Sequence, residues 1–203
     1  MTHDSALDPG DPSTELRRQR DEFLAELDAL RREAERVHAE LVLPLWNDPV
    51  YHGLPQTLYG YMMATFSFID ALSRLGCEGA NQTTRMRRLL RDYMGAPAEV
   101  AAVAVQLWRH TLMHTAKPRP LVNSDATRTY RWLLQWGDHL PREQHMTLQV
   151  GGSEAILAVG LLHLVEDLTQ AARSMFNNAA NSTDLRDRIL SGSRALPTQV
   201  LPS

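Results

Sequence analysis

Stretches whose apolar side chains recur every three or four positions dominate this chain, and prolines or glycines separate them. That period is one face of an α-helix, so it restricts the chain to folds in which each helix buries one stripe. Thr14 or Ser13 suits the N-cap of a helix from about Glu15 to Leu43. Phe23, Leu27, Leu30, Ala34, Val37 and Leu41 form its stripe, and Pro44 stops it. A second helix is predicted from Gln56 to Leu75, with Leu58, Met62, Phe66, Ile69 and Leu72 facing inward and Gly76 and Gly79 behind it. A third runs from Asn81 to Met94, with Asn81 or Thr83 as its cap, and stops at Gly95. A fourth begins at Pro97 and ends near Lys117, because Pro118 and Pro120 cannot continue it.

The period then changes from helical to alternating. Tyr130, Trp132, Leu134 and Trp136 alternate with their neighbours, as do Met146, Leu148 and Val150, which predicts a two-stranded hairpin. Strand alternation makes Trp132 and Trp136 packing residues before it makes them base-stacking ones. Gly151 and Gly152 close the hairpin, and Ser153 caps a fifth helix running to about Phe176. A short sixth helix spans Thr183 to Leu190. The expected fold is mainly α, a four-to-five-helix up-down bundle with a small β-hairpin inserted before the last long helix. Residues 1–14 form an acidic disordered tail and 15–53 the N-terminal helix and its connector. Residues 54–178 form the bundle core, with the hairpin at about 129–150, and 179–203 a short helix and flexible tail.

Composition narrows the function classes. The chain is 43% apolar and 22% charged, ordinary for a globular protein that needs no cross-links. Cys77 is the only cysteine, which excludes an internal disulfide framework and a thiolate zinc site. The longest apolar run, Ala155 to Val165, is too short to span a bilayer and contains His163, and no secretory leader opens the chain. A cytoplasmic protein without a membrane partner is expected. The net charge of −3 hides a gradient: residues 85–131 hold nine basic side chains against Asp92, Glu99 and Asp125, a local charge of +6. Local sign governs anionic partners more than the total does. Arg85, Arg88 and Arg91 line one side of the third helix, and Lys117 and Arg119 follow the fourth, a pattern suited to an RNA backbone or to a solubilising face.

The fourth helix closes on Trp108-Arg109-His110-Thr111-Leu112-Met113-His114. Arg109 and His114, with polar His110 after the arginine, resemble the R-x4–6-H motif of the HEPN superfamily of helical ribonuclease-like domains. The resemblance covers roughly residues 54–176. It implies a helical bundle, a homodimer, and metal-independent RNA cleavage with no cofactor, in a toxin or phage-defence effector. It also implies RNA as substrate and an antitoxin or regulatory protein as a further partner. Ala116 stands where one toxin branch has a tyrosine that its antitoxin modifies, so that mode of regulation does not carry over. The same spacing recurs from Arg31 and Arg32 to His38, on a highly charged helix where a solvated face is the simpler reading.

The implied chemistry is coherent. Imidazole exchanges protons near neutrality, so His114 is the candidate acid and base. Arg109 offsets the charge that builds on the phosphate, and His110 orients it or carries a second proton. Asp70, in Phe66-Ser67-Phe68-Ile69-Asp70, is a candidate to hold Arg109, or simply part of a polar stripe with Ser67 and Arg74. Helix geometry opposes the pair, because residues five apart diverge by about 140° on a regular helix. His110 and His114, four apart, share a face. That spacing also suits two metal ligands, with His52, His139 or His163 as a third. A non-catalytic interaction or sensor module is the remaining alternative.

Overall fold

The computed structural model describes residues 11–45, 55–115, 118–137 and 139–194. Helix α1, Pro12–Val37, is opened by Asp11, whose carboxylate accepts from the Ser13 N–H, with Pro12 in the first turn. The cap therefore lies two or three residues earlier than Ser13 or Thr14, and residues 11–14 belong to the helix start rather than to a tail. Ion pairs three or four residues apart, such as Arg31–Glu35 and Arg36–Glu40, cover its outer face. The helix continues through a π-turn, His38–Val42, into a last turn, Leu43–Leu45. A π-turn closes its hydrogen bond over five residues instead of four and so inserts one residue into the helix. The apolar stripe slips by one position as a result. Leu41, placed on the core face by its spacing, is 49% exposed, and Val42 is fully buried instead.

Helix α2, Pro55–Gly76, buries Leu58, Met62, Phe66, Ile69 and Leu72, the face its spacing predicts. Helix α3, Gln82–Asp92, starts at Asn81, whose side chain accepts from the Thr84 N–H at 2.9 Å. It stops because Gly95 adopts φ +72°, a left-handed conformation that lets the Ala96 N–H close onto the Leu90 carbonyl. Helix α4, Ala98–Leu107, follows Pro97 and runs through a second π-turn, Trp108–Leu112, into a final turn, Met113–Thr115.

The sheet differs from the expected hairpin. Strands β1 (Leu121–Val122), β2 (Thr129–Gln135), β3 (Thr147–Gly151) and β4 (Glu154–Gly160) lie in the order β1-β2-β4-β3. The two predicted strands do not pair with each other. β4 lies between them, parallel to β2 and antiparallel to β3. The true hairpin joins β3 to β4 through Gly152-Ser153, where Gly152 takes φ +61°. Residues 154–160 were expected to open the fifth helix. They form the central strand because Ala155, Leu157, Ala158 and Val159 are buried from both sides, so the run carries no alternation to mark it as β. Helix α5, Leu161–Asn181, starts only after Gly160, and α6, Thr183–Arg194, extends four residues past the expected end.

The class is mainly α with a small four-stranded sheet, not a plain up-down bundle with a hairpin. α1 packs along α5, α2 along α3 and α6, α3 along α4, and the sheet leans on α4 through β2 and β4. The core runs between these layers. Phe66 of α2 stacks on Trp108 at 5.9 Å and meets Trp132 of β2 edge-on at 5.8 Å. Trp136 stacks on His38 at 5.3 Å. Both tryptophans of β2 and its end are thus packing residues.

Candidate functional site

The end of α4 is shaped by Thr111. Its buried hydroxyl donates to the Leu107 carbonyl and accepts from the Trp132 indole N–H at 3.1 Å. A hydroxyl bonding back to the carbonyl four residues earlier competes with the regular helical N–H. Strand β2 anchors that hydroxyl from outside. The helix answers with the π-turn, in which the Met113 N–H reaches Trp108 O. The wider turn reduces the divergence expected for Arg109 and His114 on a regular helix. Trp108, Thr111 and Leu112 are buried, while Arg109, His110, Met113 and His114 are exposed together. The His110 and His114 rings lie 6.3 Å apart, tilted by 32°.

Arg109 reaches across to α3, where its guanidinium donates to the Thr83 hydroxyl. The sequence offers Thr83 only as an alternative cap, a place that Asn81 takes. Arg87 sits one turn further along the same face as Thr83, and its Nε is buried without a hydrogen-bond partner. It escapes the three-residue spacing of Arg85, Arg88 and Arg91. Those three turn elsewhere: Arg85 donates to the Gly79 carbonyl at 3.3 Å, Arg88 faces Glu78 at 3.6 Å, and Arg91 pairs with Asp92. Arg119 is exposed, and Lys117 lies outside the described residues, as does Ala116. Asp70 pairs with Arg74 at 2.9 Å and not with Arg109, because one helical turn separates them on α2.

The other histidines are placed away from the motif. His38, expected on a solvated face, is 3% exposed because the first π-turn rotates it toward Trp136, and His139 meets its ring edge-on at 5.9 Å. Its motif partners Arg31 and Arg32 bind Glu35 and Asp28 instead. His163 Nε2 bonds the Leu140 carbonyl at 2.9 Å, and His52 lies outside the described residues. Among the described residues no group of three His, Cys, Asp or Glu side chains is gathered to hold a metal ion. Burial, the largest influence, pushes the Cys77 thiol up to about 11, so it is an unpaired neutral thiol.

A second polar cluster has no counterpart in the sequence reading. His145, buried, accepts from the Gly160 N–H through Nδ1 at 3.1 Å. That bond fixes the tautomer: the proton sits on Nε2, which faces Asp167 Oδ2 at 3.1 Å. Arg142 donates to the other Asp167 oxygen and, at 3.3 Å, to the His163 carbonyl. The network ties the β2–β3 connection to the start of α5. Its imidazole is enclosed, so it serves packing and not substrate.

Comparison with known proteins finds no matching family model, no matching curated protein and no matching solved structure. No helix among the described residues is long and apolar enough to cross a membrane.

Proposed function

We propose that this protein is a metal-independent endoribonuclease of the HEPN type that works as a homodimer. The observation that supports this reading is the π-turn of Trp108–Leu112, around which Arg109, His110 and His114 are all exposed and the two imidazoles lie 6.3 Å apart. π-turns are uncommon and are often found at functional sites. In the proposed reaction the RNA 2′-oxygen attacks the adjacent phosphorus and its proton passes to an imidazole. The bond from phosphorus to the 5′-oxygen breaks, and that oxygen takes a proton from an imidazolium. The products are a 2′,3′-cyclic phosphate and a 5′-hydroxyl. His114 is the proton carrier and His110 the second one, supplied by the same or the second subunit. Arg109, held by Thr83, offsets the charge on the phosphate oxygens. Arg87 and Arg119 extend the positive surface along the RNA, with Arg85 and Lys117 as further contacts, whereas Glu78 and Asp92 offset the charges of Arg88 and Arg91. A toxin or phage-defence role in the cytoplasm, with an antitoxin or regulatory partner, belongs to the same proposal.

The test is cleavage of single-stranded RNA in the presence of chelator. The wild type yields cyclic-phosphate ends, and His114→Ala and Arg109→Ala each lose roughly 10²–10⁴-fold in rate. An inactive wild type, or full activity in both variants, sinks the proposal.

One observation favours a second reading. Met113, 45% exposed, stands between His110 and His114. An exposed apolar side chain amid polar neighbours suits a protein contact. If no RNA is cut and Met113→Asp abolishes self-association, the face is a non-catalytic interaction module.

A further inference from the structure

A cavity of about 300 Å³ opens between the start of α1, the end of α5 and α6, built from none of the residues of the α4 motif. Three guanidiniums line it: Arg17 and Arg20 from α1 and Arg186 from α6. Leu16 and Phe176, both buried, form an apolar part of the wall, and Asn177 adds an amide. No lining residue is acidic.

The charges are unevenly compensated. Arg20 is held by Asp21 at 2.8 Å. Among the described residues Arg17 bonds the Ser13 carbonyl of its own helix, at 3.3 Å, and makes no ion pair. Arg186 makes no ion pair among the described residues, and its Nε is buried with no hydrogen-bond partner. Two uncompensated positive charges therefore face one cavity, beside an apolar wall. A volume near 300 Å³ is at the small end of ligand sites and has room for a phosphate and about one ring.

We infer that this cavity binds a small phosphate monoester carrying an apolar group. The dianion matches Arg17 and Arg186 in charge, and guanidinium matches phosphate in planar, two-pronged geometry. A carboxylate would leave one guanidinium uncompensated. The inference is independent of the nuclease proposal, since a ligand could sit here whether or not RNA is cut at the α4 motif.

Phenyl phosphate is the probe, titrated calorimetrically into the full chain, with benzyl alcohol and inorganic phosphate as controls. One saturable site per chain is expected, with phenyl phosphate binding more tightly than either control. Binding should weaken as the pH is lowered through about 6, where the phosphate loses its second charge. Arg17→Gln and Arg186→Gln should each weaken it at least about tenfold, whereas Arg87→Gln should not. Arg17 is exposed and bonds its own helix, so its variant folds even if Arg186→Gln does not. No saturation below about 10 mM, unchanged binding in Arg17→Gln, or equal binding of benzyl alcohol would overturn the inference. So would displacement by a 5′-hydroxyl RNA oligomer, which would make the cavity part of an RNA track.

Discussion

Thr83 takes its role from one hydrogen bond, and His145 from its contacts with Gly160 and Asp167. Thr83 is a positioning residue in the proposed reaction, because it touches Arg109 and not the phosphate. Thr83→Val keeps the shape of α3 and frees the guanidinium. Cleavage should fall by about tenfold while RNA affinity changes little, since a mobile arginine still attracts phosphate but no longer meets the transition state in place. A matched fall in both would refute the positioning role. For His145, burial is the largest influence and lowers the imidazole pKa, partly opposed by Asp167. The unfolded chain then takes up a proton below about pH 6.5 that the folded chain refuses, so stability drops with acid by at most about 1.4 kcal/mol per pH unit. Burial by itself would raise the Asp167 carboxyl, but hydrogen bonds from His145 and Arg142 outweigh it and hold the carboxyl below its ordinary range. Its contribution persists through the His145 window and is lost only in stronger acid, as pH falls through the depressed value. Urea midpoints should therefore decline between about pH 7 and 5.5 in the wild type and flatten in His145→Gln. Parallel slopes would assign the decline to another group.

The two π-turns act on whole helices. The first decides which of two adjacent residues meets the core, and it selects Val42 over Leu41. Leu41→Lys should change stability by less than about 0.5 kcal/mol, as exposed positions do. Val42→Ala should cost about 1–3 kcal/mol, because it removes fully buried carbon and leaves a gap. A regular α-helix here would reverse the order, so chemical unfolding of the two variants reads the register directly. The second π-turn does the same for α4: it buries Leu112 and leaves Met113 outside with the two histidines. Trp132 of β2 stabilises it through Thr111, which is how a strand sets the face of a helix it does not adjoin in sequence.

In the molecule as a whole, α2 and α5 approach closely at Gly76. A Cβ added at Gly76 would lie 2.0 Å from the Met175 sulfur and 2.5 Å from its methyl. Met175 is fully buried, so its end has little room to swing away. Gly76→Ala should destabilise by about 1–3 kcal/mol through overpacking, despite the better helix propensity of alanine. Met175→Ala should cost about 2–5 kcal/mol alone through the cavity it leaves. Together the two changes should cost less than their sum, since the new methyl enters the vacated space. Additivity in a double-mutant cycle would show that the layers part instead of clashing. Arg188 braces the same region, reaching the Gly76 carbonyl at 3.1 Å and Glu78 at 2.6 Å from α6.

The amino-acid sequence alone determines that helices form the core, and it determines the inward face of α2. The stripe of α2, the Asn81 cap and the Gly95 stop are local: each is built from neighbours no more than six positions apart. The resemblance of Arg109, His110 and His114 to a ribonuclease motif is legible in the same way. Tertiary structure decides the rest. Residues 154–160 carry an apolar run that suits a buried helix or a buried strand equally, and only pairing with β2 and β3 selects the strand. At the second π-turn the Thr111 hydroxyl receives the Trp132 indole N–H from a strand 21 residues away in sequence. The partners of Arg109 and Asp167 lie more than twenty residues away. Such contacts are chosen by the packing of distant segments, and many different pairings would satisfy the same local pattern.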